Sequence, residues 1–239
     1  MNVVITSGGT SEYIDKVRKI TNSGTGKLGS IIANVLSQRN DIDEIYYICT
    51  PKSIRPKLST KINIIEIIDT NSLKKTAEKL LNEIKIDWFI HSMAVSDYYV
   101  DYVSTTNLLT QEIKNNFDIE NVIKNPVNKL DNSKKISSNE DNLIVVLKQT
   151  PKIINLIKQI SPNTHLIGFK LLDNVSKEYL IEIAKKLRDK NNCDYVIAND
   201  LQNIKNGNHK ALLIDKLNNI KELNGKENIA KEISSIVKK

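Results

Sequence analysis

The sequence predicts an α/β protein in which a parallel sheet is covered by helices on both faces. Two observations support this fold class. Apolar runs of strand length alternate with segments whose apolar residues recur at helical spacing, and the strands are apolar at nearly every position. A chain of 239 residues, 40% hydrophobic, can form one sizeable domain of this kind. We therefore expect a single nucleotide-binding domain over residues 1–239.

The alternation extends along most of the chain. The predicted strands are residues 3–6, 45–49, 62–68, 88–91, 143–147, 165–169, 195–198 and 211–214. The predicted helices are residues 28–38, 72–84, 151–160 and 177–188, and a closing helix from Lys226. Residues 99–139 are rich in polar side chains and have little sustained periodicity, so they are interpreted as a flap or insertion, after which the core pattern resumes at Leu143.

Composition excludes several classes of protein. No apolar run is long enough to span a membrane, and the N-terminus lacks the pattern of a secretion signal, so we expect a cytoplasmic protein. Two distant cysteines and three scattered histidines have no zinc-site spacing. The net charge of +7 comes from lysines that alternate with acids and have no interleaved aromatic residues. We therefore expect neither a nucleic-acid nor a membrane partner.

Glycines cluster near the N-terminus, where five of the eight lie within the first 29 residues: Gly8, Gly9, Gly24, Gly26 and Gly29. Glycine leaves space for a ligand to approach the backbone. A glycine-rich loop between a first strand and a first helix can direct several N–H groups at a phosphate. The alternative interpretation is a set of tight turns that bind no ligand.

Residues 24–29 match the dinucleotide pattern G-x-G-x-x-G, but the context does not. Residues 7–23 separate the match from the first strand, and Cys49 and Thr50 stand where a ribose-binding acid is expected. The Walker pattern also fails, because Leu28 follows Lys27. The loop is thus predicted to bind phosphate in another way, and NAD is not expected to bind.

Further candidate residues lie near the ends of other predicted strands, where open α/β sheets bind ligands. Residues 92–98 follow the strand that ends at His91, which is interpreted as a packed residue and not as a base. Phe169 lies near the end of a later strand, and Asn199 and Asp200 close the next one with side chains suited to a base edge. Lys135 lies in the polar flap.

Together these segments resemble phosphopantothenate–cysteine ligase over residues 2–215. The matching pieces are residues 5–10 (ITSGGT), 17–22 (VRKITN), 26–29 (GKLG), 94–98 (AVSDY), 147–151 (LKQTP), 168–169 (GF) and 198–200 (AND). The sequence resembles the stand-alone bacterial form most, without the decarboxylase domain that is fused to many bacterial relatives.

The resemblance implies a modified Rossmann-like fold, a homodimer and a two-step reaction. The carboxylate of 4′-phosphopantothenate attacks the α-phosphate of CTP and releases pyrophosphate. The amine of L-cysteine then displaces CMP from the acyl-cytidylate, which yields 4′-phosphopantothenoylcysteine for coenzyme A synthesis. Eukaryotic relatives use ATP. CTP is expected to bring Mg²⁺, whose protein ligands the sequence does not identify.

The resemblance also implies residue roles. It assigns Asn22 to the acyl intermediate and Lys135 to the second half-reaction, as a flap cation. Phosphate is expected to bind to Gly9, Gly24, Gly26 and Gly29. The intermediate is expected to contact the backbones of Met93 and Ala94. The nucleotide is expected to bind to Asp97 and Phe169, with Asn199 nearby.

The sequence departs from the family pattern in three places. Ser137 and Ser138 follow the flap lysine, where the family is lysine-rich, and the insertion before Lys135 is longer than in the fused enzymes. Two family lysines that contact the nucleotide align with Leu187 and Asn191. We expect Lys186 and Lys190 to substitute for them, with Lys190 as the binding residue.

Two other functions fit parts of the sequence. An NAD(P)-dependent short-chain reductase would need a Tyr-x-x-x-Lys pair on the helix after the fourth strand, where none is evident. A non-catalytic nucleotide-sensing module would keep the glycine loop without requiring Asn22 or Lys135.

Overall fold

A computed structural model describes residues 1–116, 118–205 and 209–238. The strands are β1 (Asn2–Ser7), β2 (Ser11–Tyr13), β3 (Lys19–Thr21), β4 (Glu44–Cys49), β5 (Ile62–Glu66), β6 (Trp88–His91), β7 (Tyr98–Thr105), β8 (Leu143–Gln149), β9 (His165–Leu172), β10 (Tyr195–Asp200), β11 (Lys210–Asp215) and β12 (Ile220–Asn224). The helices are α1 (Lys27–Ser37), α2 (Thr70–Glu83), α3 (Thr106–Lys114), α4 (Ile119–Lys124), α5 (Ile153–Ile160), α6 (Lys177–Asn191), α7 (Leu201–Lys205) and α8 (Lys226–Ile236).

These elements form two compact units. The core unit contains residues 1–10, 23–95 and 152–239, and the insert unit contains residues 11–22 and 96–151. In the described parts of both units, no helix is long and apolar enough to cross a membrane.

The core unit is built on one eight-stranded sheet with the order β12-β11-β10-β9-β6-β1-β4-β5. The six strands from β10 to β5 are parallel, and β11 and β12 are added antiparallel at one edge. The predicted α/β fold with a parallel sheet is therefore confirmed. The interior strands β1 and β6 are buried almost throughout, which explains their continuous apolar sequences.

Each face of the sheet carries its own hydrophobic core. On one face, α1 and α8 pack through residues such as Ile32, Leu36 and Ile233. On the other face, α2, α5 and α6 contribute Leu73, Ile157 and Leu180. The sheet is thus covered on both faces, as the alternating sequence pattern predicts.

The insert unit differs from the sequence expectation in the pairing of its strand over residues 143–149. Residues 143–149 do form a strand, β8, but it pairs antiparallel with β7 in a separate two-stranded sheet, so the expectation that the core resumes at Leu143 is wrong. The burial of β8 is consistent with this position, because none of its residues is fully buried. An apolar run predicts a strand, but it does not identify the strand's partner.

The polar segment before β8 contains regular structure that its composition obscured. Thr105 and Asp118 cap the N-termini of α3 and α4, since their side chains accept hydrogen bonds from the N–H groups of Leu108 and Asn121. Such residues weaken a periodic apolar pattern while they stabilise helix ends.

The other part of the insert unit, residues 11–22, is the antiparallel hairpin of β2 and β3.

Candidate functional site

The sheet of the core unit has a topological switch point between β1 and β6. From β1 the chain continues to β4 and β5 on one side, and β6 then lies on the other side of β1. The loops that follow β1 and β6 meet there: the N–H of Ala94 donates to the carbonyl of Gly8 at 2.8 Å, and the N–H of Thr10 donates to the carbonyl of Ala94 at 3.1 Å. Open α/β sheets bind their ligands at such a crevice.

The glycine loop lies against the end of β1, and its glycines permit this close approach. A Cβ atom on Gly24 would lie 2.6 Å from the carbonyl oxygen of Gly8, and one on Gly29 would lie 2.3 Å from Ser7 Oγ. Gly26 has a φ of +78° and its carbonyl accepts a 3.0 Å hydrogen bond from Ser7 Oγ. Packing within the protein thus accounts for these three glycines, whether or not a phosphate binds.

Helix α1 begins at this loop, with Gly26 as its N-cap residue. Gly26 has no side chain to cap this N-terminus, the first turn carries no acid, and Thr25 Oγ1 accepts only a long 3.4 Å hydrogen bond from the N–H of Lys27. The first N–H groups of a helix and its dipole favour an anion. The loop after β1, the loop after β6 and the start of α1 together form an environment suited to phosphate.

Thr6 and His91, near the carboxyl ends of β1 and β6, join these two strands next to the glycine loop. Thr6 Oγ1 and His91 Nδ1 share a hydrogen bond of 2.9 Å, and the N–H of Met93 donates to Thr6 Oγ1 at 3.3 Å. Burial lowers the pKa of His91 to about 4, so its imidazole is neutral near pH 7. His91 is therefore a packed strand-end residue, as expected. Thr6 and Ser7 were not among the site residues expected from the sequence, although hydroxyl residues between a strand and a glycine loop are a usable signal.

Phe169 and Asn199 lie on neighbouring strands of the core unit. Phe169 is partly buried against the core formed by α1 and α8, and its strand continues to Leu172. Asn199 is two residues beyond Ile197, which belongs to the same core, so it points to the same face. Its Nδ2 donates to the carbonyl of Lys210 at 2.9 Å, which fixes the amide orientation.

Asp200 has a structural role that was not expected from the sequence. Its carboxylate accepts hydrogen bonds from the N–H groups of Asn174, Val175 and Gln202. These three bonds lower the pKa of Asp200. They also join the end of β10 to the loop before α6, so the carboxylate is occupied in holding that loop and we assign it no contact with a base.

Lys190 lies far from the glycine loop. It is in the last turn of α6, which ends beside the amino ends of β9 and β10, as the hydrogen bond from Asp194 N to the carbonyl of Leu166 shows. The glycine loop lies at the carboxyl edge. Leu187 packs into the core, and Asn191 is buried with its Nδ2 bonded to the carbonyl of Leu187. The expected substitution by Lys186 or Lys190 is therefore not supported, and we assign neither a role at the nucleotide.

Asn22, Asp97 and Lys135 belong to the insert unit. Asn22 follows β3 and is half-buried, whereas the side chains of Asp97 and Lys135 are exposed. The carbonyl of Asp97 accepts a 3.0 Å hydrogen bond from the N–H of Thr150, next to the start of the β7–β8 pair. The expected site residues are thus divided between the units, and those in the core unit are Gly9, Gly24, Gly26, Gly29, Met93, Ala94, Phe169, Lys190 and Asn199.

The core unit also has a cavity of about 370 Å³. It lies between the start of α6 and strands β10 to β12, and its lining includes Lys177, Lys210 and Glu222. Lys177 and Glu222 form an ion pair there. None of the glycine-loop residues lines this cavity. Within the described residues, no group of three or more His, Cys, Asp or Glu side chains is placed to hold a metal ion.

Two relatives with a similar sequence are coenzyme A biosynthesis proteins. The chain is 30% identical over 214 residues to the coenzyme A biosynthesis bifunctional protein CoaBC of Thermococcus kodakarensis. The aligned region covers 90% of this chain and 45% of that protein. The corresponding protein of Methanocaldococcus jannaschii is 29% identical over 99% of this chain. The chain spans about half the length of these curated relatives.

Solved structures share the fold. The crystal structure of the DNA/pantothenate metabolism flavoprotein from Streptococcus pneumoniae superposes with a TM-score of 0.84 at 36% identity, covering 98% of this chain and 97% of that one. A mutant of Cab2 in complex with phosphopantothenate-cysteine superposes with a TM-score of 0.66 at 17% identity, covering 98% and 85%.

The family comparison covers both halves of the chain. The model described as the DNA/pantothenate metabolism flavoprotein C-terminal domain matches residues 1–127 and 126–239. The glycine loop at the β1–β6 switch point and this match over the whole length lead to one conclusion: the chain belongs to the family of DNA/pantothenate metabolism flavoprotein C-terminal domains.

Proposed function

We propose that this chain ligates 4′-phosphopantothenate to L-cysteine and uses CTP to activate the carboxylate. The observation that carries the proposal is the glycine loop packed at the β1–β6 switch point, beside the N-terminus of α1, whose N-cap residue Gly26 has no side chain to cap it. Family membership, the coenzyme A biosynthesis relatives and the phosphopantothenate-cysteine complex of Cab2 support the choice of substrates.

The reaction proceeds in two balanced steps. A carboxylate oxygen of 4′-phosphopantothenate bonds to the α-phosphorus of CTP, and the bond from that phosphorus to the β-phosphate oxygen breaks to release pyrophosphate. The amine nitrogen of cysteine then attacks the acyl carbon, CMP leaves with the electron pair of the acyl–oxygen bond, and the ammonium loses its proton to solvent. Activation is needed because a carboxylate by itself is a poor acyl donor.

In this mechanism the core unit binds the phosphates. The backbone N–H groups of residues 24–29 and the start of α1 stabilise the negative charge that develops as pyrophosphate leaves. The backbones of Gly9, Met93 and Ala94 line the position of the acyl phosphate. Phe169 and the fixed amide of Asn199 seat the nucleotide. Asp97 is a further residue that we expect to bind the nucleotide. Mg²⁺ would arrive as the CTP complex and neutralise charge on the phosphates.

The insert unit contributes the residues that distinguish the two steps. Asn22 holds the acyl-cytidylate, since its amide both donates and accepts hydrogen bonds. Lys135 supplies a cation to the second step, in which negative charge develops on the departing CMP. Its exposed position in a polar segment is consistent with a group that acts when substrate is present.

A pyrophosphate-release assay tests the proposal. With 4′-phosphopantothenate and cysteine, CTP should support turnover much better than ATP, and omission of cysteine should limit release to a single-turnover burst. Absence of any pyrophosphate release with CTP would refute the ligase function. Equal rates with both nucleotides would refute the CTP preference alone.

Two substitutions separate the half-reactions. Asn22→Asp places a negative charge beside the acyl phosphate and should reduce overall turnover by a factor on the order of 10² or more. Lys135→Gln should preserve the pyrophosphate burst, accumulate an acyl-cytidylate detectable by mass spectrometry and form little cysteine adduct. Wild-type turnover by Lys135→Gln would show that Lys135 is only a solvated lysine.

A further inference from the structure

Asp15 is a buried carboxylate in the insert unit, at the turn between β2 and β3. Its residue exposure is only 1%. Oδ1 accepts hydrogen bonds from the N–H groups of Val17 and Arg18, at 2.8 and 2.7 Å. These two bonds close the turn in the way that an Asp side chain commonly does. The turn uses only this one carboxylate oxygen.

The second oxygen of Asp15 binds groups outside the turn backbone. Oδ2 accepts from Arg18 Nη2 at 2.6 Å, from Arg18 Nε at 2.9 Å and from the N–H of Ile136 at 3.1 Å. Arg18 Nη2 also donates to the carbonyl of Ile136 at 2.8 Å. The Asp15–Arg18 pair therefore holds both backbone polar groups of a residue that is 121 positions away from Asp15 in the sequence.

Ile136 is the neighbour of Lys135, and the two residues differ sharply in environment. Ile136 is 5% exposed, whereas Lys135 is exposed. Nearby side-chain hydrogen bonds are local, from Ser133 to Asp131 and from Asn139 N to Ser137 Oγ. Because adjacent Cα atoms are about 3.8 Å apart, a fixed Ile136 also limits the position from which the Lys135 side chain extends.

The charge state of Asp15 is compatible with this arrangement near neutral pH. The hydrogen bond from the Arg18 side chain is the largest cause that holds the pKa of Asp15 well below its usual value, and the N–H of Ile136 contributes in the same direction. A buried carboxylate stays ionised only when hydrogen bonds or an opposite charge compensate for its burial. Closing the β2–β3 turn alone would not require the Arg18 side chain or Ile136 as well.

We propose that Asp15 is a positioning residue for the cysteine-dependent step: with Arg18, it clamps the backbone of Ile136 and so sets where Lys135 acts. This inference rests on the proposed function, in which Lys135 serves the second half-reaction. It assigns Asp15 no contact with a substrate, and it predicts a selective effect on one of the two steps.

Asp15→Asn tests the clamp with almost no change in shape. Asn has one acceptor oxygen, so it can serve either the turn or the clamp but not both, and its NH₂ group would face donors. We expect the single-turnover pyrophosphate burst to be retained. Formation of the cysteine adduct should fall by a factor on the order of 10 or more, with accumulation of acyl-cytidylate. Amide exchange of Ile136 should accelerate.

The matched control is Asp131→Asn, which alters a carboxylate of the same segment. Among the described residues it accepts hydrogen bonds from Ser133 and pairs with Lys134, both of them its near neighbours in the chain. It should leave both steps unchanged. A second clamp variant, Arg18→Lys, keeps the positive charge but lacks the fork that joins Asp15 to Ile136, and it should also slow the cysteine step selectively. This variant decides the matter if Asp15→Asn does not fold.

Equal slowing of both steps in the folded clamp variants would show a merely structural role and overturn the proposal. So would a wild-type cysteine step combined with faster exchange at Ile136. If wild type releases no pyrophosphate with CTP, or Lys135→Gln is fully active, the proposed function or the lysine role fails instead. If Lys135→Gln behaves as expected and the clamp variants do not, the inference about Asp15 alone is wrong.

Discussion

Gly24→Ala is the sharpest test of the glycine loop as a phosphate site. Its Cβ would lie 2.6 Å from the carbonyl oxygen of Gly8 and 2.9 Å from the carbonyl carbon. A carbon–oxygen contact normally requires about 3.3 Å, so the two backbone segments must separate by about 0.7 Å. The same Gly8 carbonyl accepts the N–H of Ala94, so the displacement also disturbs the junction of the β1 and β6 loops.

The displacement should affect binding more than folding. Overpacking a tight contact costs about 1–3 kcal/mol of the unfolding free energy, which a domain of ordinary stability tolerates. Misplacement of a binding group by about 1 Å can reduce catalysis about 10²-fold. We therefore expect kcat/KM for CTP to fall by a factor on the order of 10², equivalent to about 2.7 kcal/mol in transition-state binding.

Gly225→Ala is the matched control. A Cβ on Gly225 meets no atom within 4 Å, but φ is +84°, so the alanine is strained by roughly 1–3 kcal/mol without a clash. This variant should lose comparable stability in chemical denaturation and keep wild-type affinity for CTP in titration calorimetry. If Gly24→Ala loses the expected stability but binds CTP like wild type, the loop is not the phosphate site.

Two further predictions concern stability and assembly. Burial would raise the pKa of Asp194, but hydrogen bonds from Lys216, Leu166 N and His165 and the charge of Lys158 outweigh it and lower that pKa from 3.8 to about 2. Ionised Asp194 thus contributes roughly 2 kcal/mol to the unfolding free energy, which is present above pH 4 and lost as pH falls towards 2. Asp194→Asn should lower the unfolding free energy at pH 7 by about this amount and reduce its change with pH between 4 and 2, as measured by urea titration. An unchanged pH dependence would contradict this prediction. Light scattering should give about twice the chain mass of 27.1 kDa, and a monomer at micromolar concentration would rule out the expected homodimer.

Local sequence predicted the core elements well because their physical causes are local. Strands such as β6 were predicted with the observed bounds, since burial on both faces requires an apolar side chain at every position. The glycines were also predicted to matter, although the structure gives them a packing role against β1. Helices α3 and α4 were missed because their polar caps interrupt the apolar pattern.

The sequence by itself determined the fold class, the position of the glycine loop and the segments that resemble the family, because each depends on residues close together in the chain. Only the tertiary structure decided the pairing of β8 with β7, the position of Lys190 at the opposite edge of the sheet from the glycine loop, and the clamp of Asp15 and Arg18 on Ile136. Those features depend on which distant segments meet. A strand, a helix end and a buried carboxylate can each be read from sequence, but their partners are chosen by long-range packing, which no local pattern encodes.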